Sequence, residues 1–217
     1  VDWSSSPLWV AGNPIRPSRI SLSQHACFAA PGLDVVYGAY EPADAAAFDR
    51  LLEDGRAGAI RGLNVTAPFK EQALARADVV SPTASACGSA NLLLFEDGRL
   101  RADSTDGGGL LAALSEQAPH LRLAGATAVV LGAGGAARAA VAALRDAGAA
   151  VTVINRTRSR AEALAAQLGA TVGGAEALAG ADLVVNALSV PPDIDLAALP
   201  AHAVLMDMTY RPLQTAF

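Results

Sequence analysis

The stretch Ala128-Val129-Val130-Leu131-Gly132-Ala133-Gly134-Gly135-Ala136-Ala137-Arg138 constrains the fold of this chain more than any other segment. An apolar run of strand length breaks into glycines and then into an Ala-rich run of helical character. A second apolar run, Val151-Thr152-Val153-Ile154, follows. Strand, turn, helix and strand in that order predict a βαβ unit on a parallel sheet. The glycine spacing is G-x-G-x-x-A. Gly132 permits a tight turn, Gly134 lets a pyrophosphate approach the backbone, and Ala137 lets the helix pack closely on the strand. Phosphates are expected at the helix start, around Gly135 and Ala136, where free N–H groups and the helix dipole favour negative charge.

The end of the second strand selects the dinucleotide. NAD-binding chains usually place an acid there, on the ribose 2′-hydroxyl. This chain has Asn155-Arg156-Thr157-Arg158-Ser159-Arg160 instead. An acid would repel a 2′-phosphate, whereas an arginine pairs with one bidentately. The cofactor is therefore read as NADP, with Asn155, Arg156, Thr157 and Arg160 at its 2′-phosphate end.

The same alternation runs through the first half. Leu8–Gly12, Asp34–Tyr40 and Ala59–Val65 read as strands, and residues 22–30 and 43–54 as helices. Pro68 fits the first position of a further helix. Residues 88–95 and Arg99–Asp103 read as a hairpin joined by Glu96-Asp97-Gly98. In the second half, strands are expected at 127–131, 151–154, near Thr171, at 182–186 and at 203–208. Thr105-Asp106-Gly107-Gly108-Gly109 marks a boundary and leads into a connecting helix, Leu110–Gln117. The predicted architecture is α/β. An N-terminal α/β substrate domain with a mostly parallel sheet (1–107) precedes a C-terminal Rossmann-like dinucleotide-binding domain (108–217), with a cleft between them.

Composition removes several classes of function. The net charge of −5 over 217 residues offers no extended nucleic-acid footprint. No run of 18 apolar residues is uninterrupted, so no membrane span is expected. Cys27 and Cys87 have no metal-ligand spacing and read as reduced thiols of a cytoplasmic protein. His25, His120 and His202 likewise show no spacing for a metal, and none is expected.

Lys70 is the chain's single lysine among 16 basic residues. Arginine holds its proton at any ordinary pH, while an ammonium can release one. Lysine is thus the cation for a site that transfers protons, and this one lies in Asn64-Val65-Thr66-Ala67-Pro68-Phe69-Lys70, just after a strand.

Taken in order, Gly12-Asn13-Pro14-Ile15, Asn64–Lys70, Gly88-Ser89-Ala90-Asn91, Thr105-Asp106-Gly107, Gly132–Gly135, Asn155-Arg156-Thr157 and Asp207–Thr215 closely resemble the shikimate dehydrogenase family. The resemblance implies NADP-dependent, reversible oxidation of shikimate to 3-dehydroshikimate, a step on the way to chorismate and the aromatic amino acids. It assigns the catalytic pair to Lys70 and Asp106, and substrate contacts to Thr66, Asn91 and Tyr210. The small-molecule substrate's carboxylate falls to two serines, here Ser18 with Ser21 or Ser23, because the family's Ser-x-Ser pattern is shifted in register. The protein is expected to be a monomer or homodimer. The family continues past this C-terminal motif into helices that return to the first domain with a substrate-binding Gln, so the chain is expected to be truncated or a shortened relative. Two alternatives follow from the departures. One is a dehydrogenase of quinate or an aminated shikimate; the other is a non-catalytic nucleotide-binding relative.

Overall fold

A computed structural model of the protein describes residues 8–15, 20–32, 37–209 and 217. The chain divides into two units, 1–105 and 106–217.

In the first unit, short apolar strands supply the centre of a six-stranded sheet ordered β2-β1-β3-β5-β6-β4. These are β1 (Leu8–Ala11), β2 (Tyr37–Tyr40), β3 (Gly62–Val65), β4 (Val79–Val80), β5 (Leu92–Glu96) and β6 (Arg99–Asp103). β1 pairs in parallel with β2 and β3, and β5 runs antiparallel to both β3 and β6. The β5–β6 hairpin turns through Asp97 and Gly98, both with positive φ, as a two-residue hairpin loop requires. Leu93 and Phe95 alternate with the exposed Leu94 and Glu96, so one face of β5 enters the core.

Helix α2 (Ala45–Arg56) starts where the Asp44 carboxylate accepts the Ala47 N–H at 2.7 Å. It buries Phe48, Leu51 and Leu52 against Leu63, Val65, Leu93 and Leu100. Phe48 stacks on Phe69 with ring centroids 4.7 Å apart. Helix α1 (Ile20–Ala29) buries none of its residues fully.

The predicted helix start at Pro68 is corrected. Helix α3 spans Lys70–Ala75 with Phe69 as its N-cap. Pro68 instead follows a cis peptide in a turn closed by the Phe69 N–H on the Thr66 carbonyl, 3.1 Å. The first strand of the hairpin also begins at Leu92 and not at Gly88, because Gly88 caps helix α4 (Pro82–Cys87) in the left-handed conformation and the Ala90 N–H bonds the Lys70 carbonyl.

The second unit is a five-stranded parallel sheet ordered β11-β10-β7-β8-β9. Its strands are β7 (Thr127–Leu131), β8 (Ala150–Ile154), β9 (Thr171–Val172), β10 (Leu183–Asn186) and β11 (Val204–Asp207). Both faces are covered, which is why these strands read as continuous apolar runs. Val130, Val153, Leu183 and Val185 pack on helices α5 (Asp106–Gln117), α6 (Gly135–Asp146) and α7 (Arg158–Leu168). Val129, Leu131 and Val184 pack against Leu178 and Ala181 on the other face. Helix α5 starts at Asp106 and lies close on α6, where a Cβ on Gly107 would come within 3.0 Å of the Ala139 carbonyl oxygen. It is therefore part of the second unit's core. Among the described residues no helix is long and apolar enough to cross a membrane.

Candidate active site

Each sheet reverses its strand order at one place, and in open α/β sheets ligands bind there, beyond the carboxyl ends of the strands. In the first unit the reversal lies between β1 and β3. The loop after β1 is hydrogen-bonded to the loop after β3, by Thr66 N–H on the Ala11 carbonyl at 2.9 Å and Asn13 N–H on the Ala67 carbonyl at 3.0 Å. This contact explains Gly12, since a Cβ there would stand 2.2 Å from Thr66 Cγ2. Thr66 is half-buried at the mouth so formed.

Asn91 and Thr105 close the neighbouring side. The Asn91 amide donates from Nδ2 to Thr105 Oγ1 at 2.9 Å, and its Oδ1 accepts the Thr105 N–H at 2.8 Å. Its carbonyl accepts the Val65 N–H at 2.8 Å, which ties the start of β5 to the end of β3. Lys70, half-buried, opens α3, and its carbonyl accepts the Ala90 N–H at 2.9 Å. Main-chain bonds to Thr66, Lys70 and Asn91, and the side-chain amide of Asn91 on Thr105, tie these segments together at one end of the sheet. Asp106 is half-buried and begins α5 in the second unit.

Two polar residues here were given no role by the sequence reading. Asn64 sits in β3 between buried Leu63 and Val65, and its Oδ1 accepts a short hydrogen bond from the Tyr37 hydroxyl. Its Nδ2 faces the Asn91 carbonyl at 3.5 Å. A polar residue inside an apolar strand was the available signal for Asn64. Nothing in the sequence pointed to Tyr37, which reaches it from β2. Burial pushes the Tyr37 hydroxyl well above the usual tyrosine range, so it remains a donor.

The serines divide differently. Ser18 and Tyr210 lie outside the described residues. Ser21 and Ser23 both lie on α1, two residues apart, and so on different faces. The Ser23 hydroxyl donates within its own helix to the Ile20 carbonyl at 2.9 Å. His25 accepts the Tyr37 N–H on Nε2 at 3.0 Å, a packing role.

In the second unit the reversal lies between β7 and β10, at the glycine turn. Gly132 has φ +116°, and a Cβ would meet the Ala187 carbonyl oxygen at 3.2 Å. That turn needs glycine for its own conformation. Gly134 differs. Its φ is −95°, and a Cβ there would meet nothing within 4 Å. The protein's own packing does not demand glycine at this position, and the open space in front of it suits a pyrophosphate. Ala137 is fully buried where α6 lies on the sheet.

The N-terminus of α6, at Gly134, Gly135 and Ala136, carries no side-chain cap, and neither does that of α7, where Thr157 is the N-cap. Helix N-termini of this kind favour an anion through the helix dipole. Asn155 Nδ2 holds the turn between β8 and α7 by donating to the Thr157 carbonyl at 2.9 Å. Arg158 is engaged by Glu162 at 2.9 Å. Arg156 and Arg160 are exposed and make no ion pair among the described residues. These residues fit a 2′-phosphorylated dinucleotide: Arg156 and Arg160 would hold its 2′-phosphate and the α6 N-terminus its pyrophosphate.

A parallel sheet in the order β9-β8-β7-β10-β11, with a glycine turn after its first strand, defines a dinucleotide-binding α/β protein. Its substrate unit narrows the class. The profile of the shikimate dehydrogenase substrate binding domain matches residues 10–93, and that of shikimate / quinate 5-dehydrogenase matches residues 113–198. The NADP-dependent shikimate dehydrogenase of Caulobacter vibrioides is 48% identical over 96% of this chain and 78% of its own length. That of Symbiobacterium thermophilum is 42% identical over 96% of this chain and 77% of its own. The crystal structure of shikimate 5-dehydrogenase from Thermus thermophilus, in complex with NADP(H) and shikimate, superposes with a TM-score of 0.87. It is 38% identical, over 97% of this chain and 81% of that one. The chain belongs to the shikimate dehydrogenase family.

Proposed function

We propose that this protein catalyses the reversible, NADP-dependent oxidation of shikimate to 3-dehydroshikimate. The observation that carries the reading is the end of the first sheet. There Gly12 packs against Thr66, Asn91 is hydrogen-bonded to Thr105 and to the Val65 N–H, and the chain's single lysine opens the next helix.

NADP supplies the hydride acceptor when bound. The residues do the rest. Oxidation of a secondary alcohol releases a hydride and a proton, and Lys70 takes that proton from the reacting hydroxyl and returns it in the reverse direction. Asp106 is assigned as the second catalytic residue, an acceptor for the reacting hydroxyl. Thr66 and Asn91 hold neighbouring ring hydroxyls, and Asn91 is itself fixed by Thr105. Ser18, one serine of α1 and Tyr210 are assigned to the carboxylate end. Arg156 and Arg160 bind the 2′-phosphate, and no acid stands there to accept a bare 2′-hydroxyl. Two free thiols, Cys27 and Cys87, suit a reducing compartment, and we place the enzyme in the cytoplasm.

The shifted serine register supports a second reading, in which quinate is the better substrate. Initial rates of NADPH formation with shikimate and with quinate, each also tried with NAD, separate the readings. Shikimate with NADP is expected to give the highest kcat/KM. Turnover of quinate alone would replace the substrate assignment, and equal use of NAD would remove the cofactor assignment.

A further inference from the structure

The carboxyl ends of β10 and β11 are joined by side chains that neither the glycine turn nor the arginine cluster uses. Asn186 is a buried polar residue of the second unit, 1% exposed. Its Nδ2 donates to Asp207 Oδ1 at 3.0 Å, and its Oδ1 accepts the Leu188 N–H at 3.2 Å. Asp207 Oδ1 also accepts the Thr209 N–H and the Thr209 hydroxyl, each at 2.9 Å. One carboxylate oxygen and one amide thus set the direction of the chain leaving two adjacent strands. Of these segments, the one after β10 presses on the glycine turn, since Ala187 and Leu188 bound the space beside Gly132.

The sheet order says what lies above them. Arg156 follows β8, and the α6 N-terminus follows β7. A dinucleotide with its 2′-phosphate at the first and its pyrophosphate at the second must continue toward β10 and β11. Its nicotinamide end falls over the Asn186–Asp207 pair.

We propose that Asn186 and Asp207 form a positioning clamp for the nicotinamide half of the cofactor, acting through the Leu188 and Thr209 segments rather than by touching the ring. The inference rests on the NADP reading. Asp207 Oδ2 is buried and makes no hydrogen bond. Asp207→Asn can therefore keep Oδ1 as the acceptor and break nothing at the other position, whereas Asp207→Ala releases three donors.

Calorimetric titration of the full chain with adenosine 2′,5′-bisphosphate and with NADPH separates the two halves of the cofactor. In Asp207→Ala the bisphosphate should bind within about twofold of wild type while NADPH weakens about tenfold, the upper range for one lost hydrogen-bonding group. Asp207→Asn should restore most of the NADPH affinity. An alanine variant that binds NADPH as tightly as wild type overturns the proposal. So does one that loses both ligands in step, which would mark the pair as merely structural. Should the alanine variant not fold, hydrogen exchange on the wild-type chain decides. NADPH should slow exchange of the Leu188 and Thr209 amides beyond what the bisphosphate achieves, and equal protection overturns the clamp. A wild-type chain that binds neither compound overturns the cofactor reading and the clamp with it.

Discussion

Single side chains carry the assignment of cofactor. Arg156 is exposed, follows β8 and makes no ion pair among the described residues, so its guanidinium is available to a ligand. A charge-assisted hydrogen bond contributes about 1.5–3 kcal/mol, or roughly ten- to a hundredfold in affinity. Arg156→Ala is expected to weaken NADP by that factor and to leave NAD nearly unchanged in the same titration. Equal loss for both would show that the arginine does not read the 2′-phosphate. Roles for Arg156 and Lys70 could be proposed from the sequence because their chemistry is local: a basic cluster where an acid is usual, and one lysine among arginines. The hydrogen bonds of Tyr37 and Asp207 could not be, because their partners lie 27 and 21 residues away.

At the scale of elements, the loops after β1 and β3 are held so closely that Gly12 has no room for a methyl group. Overpacking of this kind costs about 1–3 kcal/mol. Gly12→Ala should lower the melting temperature and weaken shikimate binding, while NADP affinity, seated on the other sheet, stays at the wild-type value. A variant that melts and binds as wild type would contradict the contact between those loops. The elements themselves were unevenly legible. Four of the five parallel strands of the second unit, all but the two-residue β9, announced themselves as apolar runs, and β5–β6 by its Asp97-Gly98 turn. Helix α4 and strand β4 did not, because Pro82-Thr83-Ala84-Ser85-Ala86-Cys87 carries no apolar period and Val79-Val80 is too short to show one. Pro68 misled for a definite reason: proline suits both a first helical turn and a cis turn, and only the backbone distinguishes them.

Across the whole molecule, carboxylates tie strands to their neighbours. Asp78 accepts the Leu100 N–H at 2.7 Å and pairs with Arg56, and Asp182 accepts the Thr127 N–H at 2.8 Å and pairs with His202 at 3.1 Å. These bonds hold both carboxyls below the usual aspartate value. A depressed folded-state pKa means that the stabilisation is complete above the unfolded value, about pH 3.9, and is lost as pH falls through the folded one. Asp78→Asn and Asp182→Asn should each flatten the fall in melting temperature below about pH 4, followed by circular dichroism. An acid limb as steep as wild type would show that these bonds do not couple to folding. The same scale bears on the central claim, because the dehydrogenase reading requires a proton acceptor from the first unit as well as a cofactor on the second. The direct measurement is the steady-state rate of shikimate oxidation by Lys70→Ala, with NADP affinity measured on the same preparation. The account predicts a kcat lower by about 10²–10⁴-fold with NADP bound as in wild type; a variant that keeps the wild-type kcat would contradict it.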